Sequence, residues 1–353
     1  MNIFIFTESN SGCYKWRTAI PVKYLERRGH TVRVFSDQSA TASVRPDVMV
    51  FCKTHFAQAQ PLIEYCRKNS VRVAFDTDDA LDLVPRENMN YQGVQQSLPA
   101  YRLLLAESDV VTTTTETLAA HLRKSNPNVV VVPNSIDPEE WNRRPRCEQV
   151  RIGWTGSPTH FADLPIALDA IRDLQKRHRF TFVMQGICRE STLEELRETL
   201  LRRRGKQFFE SAVGRAFQHF LDRLRGIRYE FHPAVPTTEH PQKVCDLALD
   251  VGMAPLLDDS FNRNKSCIKF YEYAMSGAMT VASNVLPYSA EAPITAKNKR
   301  DAWIETLEFA LTTDRERLWR KERDWVLAHR NIEKTVALWE NALSPSFAVA
   351  QGY

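Results

Sequence analysis

The stretch from Asp258 to Ser283, DDSFNRNKSCIKFYEYAMSGAMTVAS, decides how the rest of the chain is read. It opens as an acidic, Asn-rich loop holding two lysines, Lys265 and Lys269, and becomes an amphipathic helix carrying Glu272. The helix stops at Gly277 and the chain re-enters as a short apolar strand, Met279–Ala282. A polar loop feeding a helix N-terminus is a ready anion site, because the first-turn N–H groups lack intrahelical partners and the dipole end is positive. The two lysines suggest a phosphate group, and a carboxylate one turn further in suggests a sugar hydroxyl. An ordinary loop–helix–strand connection with solvated lysines fits the same residues equally well, so the surrounding pattern has to decide.

Immediately upstream the pattern is a strand–helix alternation. Val150–Trp154 reads as a strand running into GSPTH, followed by a helix over Leu164–Arg177 and strands at Phe180–Met184, Ile227–Phe231 and Val251–Pro255. The loop Gly153–Ser157 carries two glycines, so its backbone could approach a phosphate, although a lone Gly pair is a weak motif. A Pro- and Arg-rich segment, Pro138–Arg146, reads as a linker. Before it lies a first alternation. Ile3–Phe6, a helix to Arg28, a break at Gly29 and Thr31–Phe35 form a βαβ unit, with a right-handed crossover expected. Buried strands follow at Val48–Cys52, Val71–Phe75, Val110–Thr113 and Val129–Val132, with helical segments between them. The whole predicts an α/β fold: two Rossmann-like domains with mostly parallel sheets covered on both faces, and ligands in the cleft beyond the strand C-termini. The expected division is residues 1–146, residues 147–332 with a charged helical insertion at 190–225, and residues 333–353 as a tail returning to the first domain.

Composition narrows the class. The 353 residues suffice for two ordinary domains, and a net charge of +4, from 47 basic and 43 acidic residues, is too mild to argue by itself for nucleic acid. The seven cysteines are scattered and never spaced as CxxC, which favours reduced thiols in a cytoplasmic protein. MNIFIFTESN reads as a first strand rather than a signal peptide, and no run approaches the length of a membrane span.

Several strand ends carry candidate chemistry. In FDTDD, Asp76, Asp78 and Asp79 could bind a divalent metal, orient an acceptor hydroxyl or cap the next helix. His55 could be a base or a solvated loop residue. Gly12, Tyr14, Trp16 and Arg17 start the first helix at the cleft edge. Their rings and guanidinium suit stacking on a sugar or base, whereas burial of Trp16 against the sheet is the plainer reading. The basic stretch LRRRGK at Leu201–Lys206 is either a polyanion-binding face or a solvated helical hairpin. Four of the seven tryptophans fall in the helical segment Asp301–Leu343, which predicts a buried structural tail.

Together these pieces resemble the GT-B glycosyltransferases, specifically the retaining, nucleotide-sugar-dependent group called family 4. VKYLERRGHTVRVFS (Val22–Ser36), VVPNSID (Val131–Asp137), RIGWTGS (Arg151–Ser157) and KSCIKFYEYAMSGAMTVAS (Lys265–Ser283) carry the resemblance, in the family's order and across nearly the whole chain. It implies that Glu272, the second glutamate of the E-x7-E motif, hydrogen-bonds the donor ribose. Lys265 and Lys269 fall beside the leaving diphosphate, with backbone N–H groups of Ser266 and Cys267 on one side and of Gly156 and Ser157 on the other. Two positions depart from the pattern. Asn264 replaces the motif's first glutamate, and the loop after the first donor-domain strand offers Ser157 and His160 rather than an Arg or Lys. FDTDD stands where relatives place a catalytic-site histidine, which makes Asp76 and Asp78, with Asp79 on the acceptor side, candidates in its stead.

The resemblance implies transfer of a sugar from a nucleotide donor, UDP- or GDP-linked, to an acceptor hydroxyl, with retention and without a metal or other cofactor. Acceptors consistent with it are a saccharide, a lipid-linked sugar, a protein or a modified DNA base. A sugar-nucleotide epimerase and a nucleotide-sugar-binding protein with weakened catalysis are the alternatives.

Overall fold

A computed structural model describes residues 1–7, 12–36, 45–52 and 59–344. Strands β1 (Asn2–Thr7), β2 (Thr31–Phe35), β3 (Val48–Cys52), β4 (Arg72–Asp76), β5 (Val110–Thr113) and β6 (Val129–Val131) form one sheet, in the order β2-β1-β3-β4-β5-β6. Strands β7 (Arg151–Thr155), β8 (Thr181–Gln185), β9 (Tyr229–His232), β10 (Val251–Ala254), β11 (Met279–Ser283) and β12 (Thr295–Ala296) form a second, ordered β12-β11-β10-β7-β8-β9. Every pairing is parallel. Parallel strands are covered on both faces and so read as unbroken apolar runs; β3 (VMVFC) and β11 (MTVAS) are buried at every residue. The two-residue β12 is too short to leave such a run and escapes the sequence reading.

Helices of seven residues or more are α1 (Ile20–Arg27), α2 (Ala59–Lys68), α3 (Tyr91–Glu107), α4 (Glu116–Leu122), α5 (Pro165–Leu174), α6 (Leu193–Arg204), α7 (Ala212–Leu224), α8 (His240–Asp246), α9 (Ile268–Ser276), α10 (Arg300–Thr312), α11 (Arg315–His329) and α12 (Ile332–Leu343). The first helix is not regular from its start: Lys15–Ala19 is a π-helical turn leading into α1. The expected charged helical region splits into α6, a short helix Gln207–Glu210, and α7. Phe217 and Phe220 of α7 pack at a tilt on Phe161, just before α5, at ring separations of 4.9 and 5.5 Å; α7 also lies against α5, and Arg202–Arg204 stay exposed.

The opening stretch folds as loop, helix and strand. Its helix α9 begins at Cys267 with no side-chain cap and ends at Gly277, whose φ of +109° is left-handed backbone that an L side chain resists. Within α9, Tyr273 is fully buried beneath the second sheet. Its hydroxyl accepts the Thr155 N–H (3.0 Å) and donates to the Met253 carbonyl (3.0 Å), tying α9 to the ends of β7 and β10. Burial of a side chain of this size is worth roughly 1.5–3 kcal/mol.

The last three helices distribute over the molecule. Helix α10 packs on α5, and α11 on α9, where Trp319 Nε1 donates to the Ala274 carbonyl (2.6 Å). Helix α12 lies against α1, with the Arg17 guanidinium 4.5 Å from the Trp339 ring centre and Thr335 Oγ1 2.7 Å from Ser135 Oγ. The chain passes between domains near Ile136 and again near Asn331. The two crossings pair with each other, Ile136 N–H donating to the Arg330 carbonyl (2.6 Å) and Ile332 N–H to that of Ile136 (2.9 Å).

Candidate functional site

The strand order of the second sheet reverses between β7 and β10, and in open α/β sheets the crevice beyond such a switch point is where ligands bind. A cleft with about 620 Å³ of free space, part of it open to solvent, lies there. The second domain supplies His160, Lys265, Ser266 and Lys269 together with apolar Leu256, Ile268 and Tyr288. The first supplies Asp78 and Asp79. One wall is therefore cationic and the opposite one carboxylate.

The cationic wall is built on His160. Asp163 Oδ2 lies 2.7 Å from His160 Nδ1, and Lys269 Nζ lies 3.2 Å from Nε2. Burial, aided by the charge of Lys269, lowers the His160 pKa to about 4, so the ring is neutral at pH 7. The consistent tautomer donates from Nδ1 to Asp163 and accepts at Nε2 from the Lys269 ammonium. Burial likewise lowers Lys269, to about 8, with Glu272 opposing the shift and Lys265 adding to it. Lys269 thus stays mostly charged at neutral pH and is aimed by a ring that is itself held in place. Asp163 is nearly fully buried, and its Oδ1 also accepts the Leu257 N–H (2.8 Å).

The residues predicted from the sequence for the donor side fall around this pair. Gly156 follows β7, and a Cβ there would lie 2.5 Å from the Trp154 ring and 3.2 Å from Lys269 Cε; only glycine lets the backbone run this close. Ser157 is exposed, its Oγ 2.7 Å from Thr159 Oγ1. Lys265 Nζ sits 4.6 Å from the Phe261 ring centre, and Ser266 Oγ accepts from Asn134 Nδ2 (2.8 Å). Glu272 lies one turn beyond Lys269 on the same face of α9, buried, with Oε1 3.1 Å from His240 Nε2. The Cys267 thiol is buried in the apolar cluster of Tyr271 and Tyr288, and burial pushes its pKa well up, so only its backbone is suited to an anion. Asn264 is buried too. Its Nδ2 donates to the Ser260 carbonyl (2.6 Å), and Oδ1 has no partner among the described residues.

On the first domain two expectations are corrected. Asp76, expected as a catalytic carboxylate at the cleft, is 1% exposed and saturated. It accepts from Arg17 Nε (3.0 Å), Arg17 Nη2 (2.6 Å) and Thr112 Oγ1 (2.6 Å). Arg17, expected to face an acceptor, is its internal partner and also donates to the Val132 carbonyl (2.6 Å). Of the two readings of Trp16 the plainer one holds: it is buried in the core cluster with Ile5 and Ile20 and not free to stack on a ligand. Burial of Trp16 and Arg17 follows from the π turn, which carries four buried residues in a row. Tyr14 is half-buried and Gly12 exposed. Asp78 and Asp79 do reach the cleft, where Cys13 joins them with ligand atoms within 4.8 Å of one another. It is the one group of such donors among the described residues. His55 lies outside the described residues.

Asp163, His240 and Tyr288 belong to the site and are missing from the sequence reading. The spacing His160-x-x-Asp163 at a helix start is a signal for the first. Nothing local marks His240, which meets Glu272 across 32 positions.

No protein-family model matches the chain, and no curated protein matches it in sequence. Solved structures do match in fold. An alpha-glucosyltransferase in complex with UDP and a 13-mer DNA containing an HMU base is 13% identical, with a TM-score of 0.64 over 97% of this chain and 99% of its own. A glycosyltransferase from Rickettsia africae is 12% identical, with a TM-score of 0.65 over 98% and 99%. The E. coli trehalose-6-phosphate protein bound with UDP-2-fluoro glucose is 13% identical, with a TM-score of 0.63 over 99% and 100%. At these identities the likeness is one of fold. The chain has the GT-B arrangement of two Rossmann-like domains facing a cleft.

Proposed function

We propose that this chain is a glycosyltransferase that moves a sugar from a nucleotide-sugar donor to an acceptor hydroxyl, with retention of configuration and without a metal. The observation that carries the reading is the convergence at the switch point of the second sheet. An uncapped α9 N-terminus, Lys265 and Lys269 lie together there, with Glu272 one turn further in. Helix-terminus N–H groups and two ammonium ions suit a diphosphate, and a buried carboxylate beyond them suits a ribose diol. UDP is the first candidate nucleotide, because structures of this fold were solved with UDP or UDP-2-fluoro glucose; GDP is the second.

In the reaction, the bond between the sugar C1 and the phosphate oxygen breaks while C1 bonds to the acceptor oxygen. The acceptor proton passes to the departing diphosphate on the same face. Charge grows on that diphosphate, where Lys265, Lys269 and the α9 N–H groups are already placed; each well-placed donor is worth roughly 3 kcal/mol of barrier. Asp78 and Asp79 face this point from the first domain and orient the acceptor. Apposition of the two walls excludes water and limits hydrolysis of the donor. Among the described residues no helix is long and apolar enough to cross a membrane, and the free cysteines suit a reducing cytoplasm.

The acceptor is a saccharide, a lipid-linked sugar, a protein or a modified DNA base. The last is favoured by one specific observation, the fold likeness to an alpha-glucosyltransferase solved with DNA. Mass spectrometry of reactions with UDP- and GDP-sugars tests the function. Product with an acceptor supports transfer, an isomerised donor without any acceptor indicates an epimerase, and binding without product indicates a catalytically weakened binder. Lys265→Ala and Glu272→Ala should both abolish product while the protein remains folded.

A further inference from the structure

The loop joining β10 to α9 belongs to the second domain by position but is anchored in both. Phe261 is 4% exposed and lies in the apolar cluster of the first domain, with Phe75, Leu104 and Leu118. The turn Asn262–Asn264 lies against α4, where Thr115 Oγ1 donates to the Asn264 carbonyl (3.2 Å). Asn134 bridges further along. Its Nδ2 donates to Ser266 Oγ (2.8 Å), while its Oδ1 accepts from the buried Arg17 Nη1 (3.2 Å). From the second domain, Asp163 Oδ1 accepts from Leu257 N–H (2.8 Å) and Asn262 Nδ2 (3.3 Å). Lys265, its ammonium over the Phe261 ring, and Ser266 sit between these two sets of anchors.

We infer that this loop is a clasp between the domains. Phe261, Thr115 and Asn134 are positioning residues that hold Lys265 and Ser266 in place, so that apposition of the domains and affinity for the donor diphosphate are coupled. An aromatic ring is an expensive group to withdraw from an apolar cluster, so the clasp favours the apposed arrangement before any ligand arrives. Lys265 depends on it directly, because the ring that seats the loop is the ring its ammonium rests on. Coupling is reciprocal: if the clasped state binds the diphosphate more tightly by some factor, the diphosphate favours the clasped state by the same factor. The donor half of this inference rests on the nucleotide-sugar reading above; the clasp itself does not.

The test uses the full chain and two readouts, solution X-ray scattering and calorimetric titration with UDP, on wild type, Phe261→Ala, Phe261→Leu and Asn134→Ala. Phe261→Ala should expand the protein without nucleotide and weaken UDP on the order of tenfold, with saturating UDP reversing part of the expansion. Phe261→Leu, which refills much of the pocket but offers the Lys265 ammonium no ring, should restore most of the compactness and only part of the affinity. Asn134→Ala should weaken UDP without the loss of compactness. Affinities in Phe261→Ala and Asn134→Ala within about twofold of wild type overturn the coupling, even if melting temperatures fall, because a merely structural role moves stability alone. If wild type binds neither UDP nor, in the same titration, GDP, the donor reading and the coupling fail together. The scattering curve of Phe261→Ala then decides the clasp separately, and an unchanged curve overturns it.

Discussion

Lys269 Nζ lies 3.2 Å from His160 Nε2, and the opposite nitrogen of the same ring lies 2.7 Å from Asp163 Oδ2. The lysine is therefore aimed by a neutral imidazole whose own orientation is set by a buried carboxylate. Its lowered pKa, about 8 and caused chiefly by burial, gives a sign for pH dependence. Below pH 8 the ammonium is present and attracts diphosphate; above it the charge is lost. UDP affinity should fall as pH rises through about 8, and binding near that pH should take up a proton, because the anion favours the charged lysine. Calorimetry in buffers of differing ionisation enthalpy measures the uptake. In Lys269→Ala both the pH break and the uptake should vanish.

Asp163→Asn probes the support beneath that lysine. The amide can still accept the Leu257 N–H, but its NH2 group would then face the His160 Nδ1–H, donor against donor. A buried mismatch of this kind costs about 1–3 kcal/mol. Urea unfolding should show that loss, and UDP affinity should fall with it. Unchanged stability would mean that the carboxylate is not the acceptor for His160.

The Arg17–Asp76 pair should behave as structure rather than chemistry. Each side chain is 1% exposed, so removing one partner strands a buried charge at a cost of about 3–5 kcal/mol. Asp76→Asn and Arg17→Met should each destabilise strongly in denaturant. The double replacement Arg17→Met with Asp76→Leu should recover part of the loss. Asp76→Asn, where it folds, should keep its UDP affinity, which a UDP-binding Asp76 would not allow.

Glu322 supplies a stability test remote from the cleft. It is buried under β11, its Oε2 accepting the Thr280 N–H (2.9 Å), and burial raises its pKa from 4.5 to about 8. Between those values the folded state keeps a proton that the unfolded state has released. Stability therefore falls as pH rises through the window, by at most about 1.4 kcal/mol per pH unit. Glu322→Gln removes that slope, so the gap between variant and wild-type denaturation midpoints should widen in the variant's favour from pH 5 to pH 8. Parallel midpoints would contradict it.

Much of the fold was legible because parallel strands buried on both faces leave plain apolar runs. Val48–Cys52 and Val110–Thr113 were recognisable within their exact bounds, and the left-handed stop at Gly277 followed from glycine's freedom. The edge strand β9 begins at Tyr229, two residues later than its apolar run suggests, since an edge has less to bury. The site was legible only where its residues cluster in sequence, as Lys265, Lys269 and Glu272 do. Arg17 and Asp76 are 59 positions apart, so their composition suggested a polar cleft when their charges in fact cancel inside the core. Phe261 reads as an ordinary loop aromatic, because the pocket it fills belongs to the other domain.

The central claim is that a nucleotide diphosphate binds between the α9 N-terminus and Lys269 at the switch point of the second sheet. Calorimetric titration of UDP and GDP into the wild-type chain and into Lys269→Ala tests it most directly. Saturable one-to-one binding of one nucleotide to wild type, weakened at least about tenfold in the variant, is the predicted result, corresponding to about 1.4 kcal/mol or more. Binding of equal strength in both proteins, or of neither nucleotide to wild type, would contradict it.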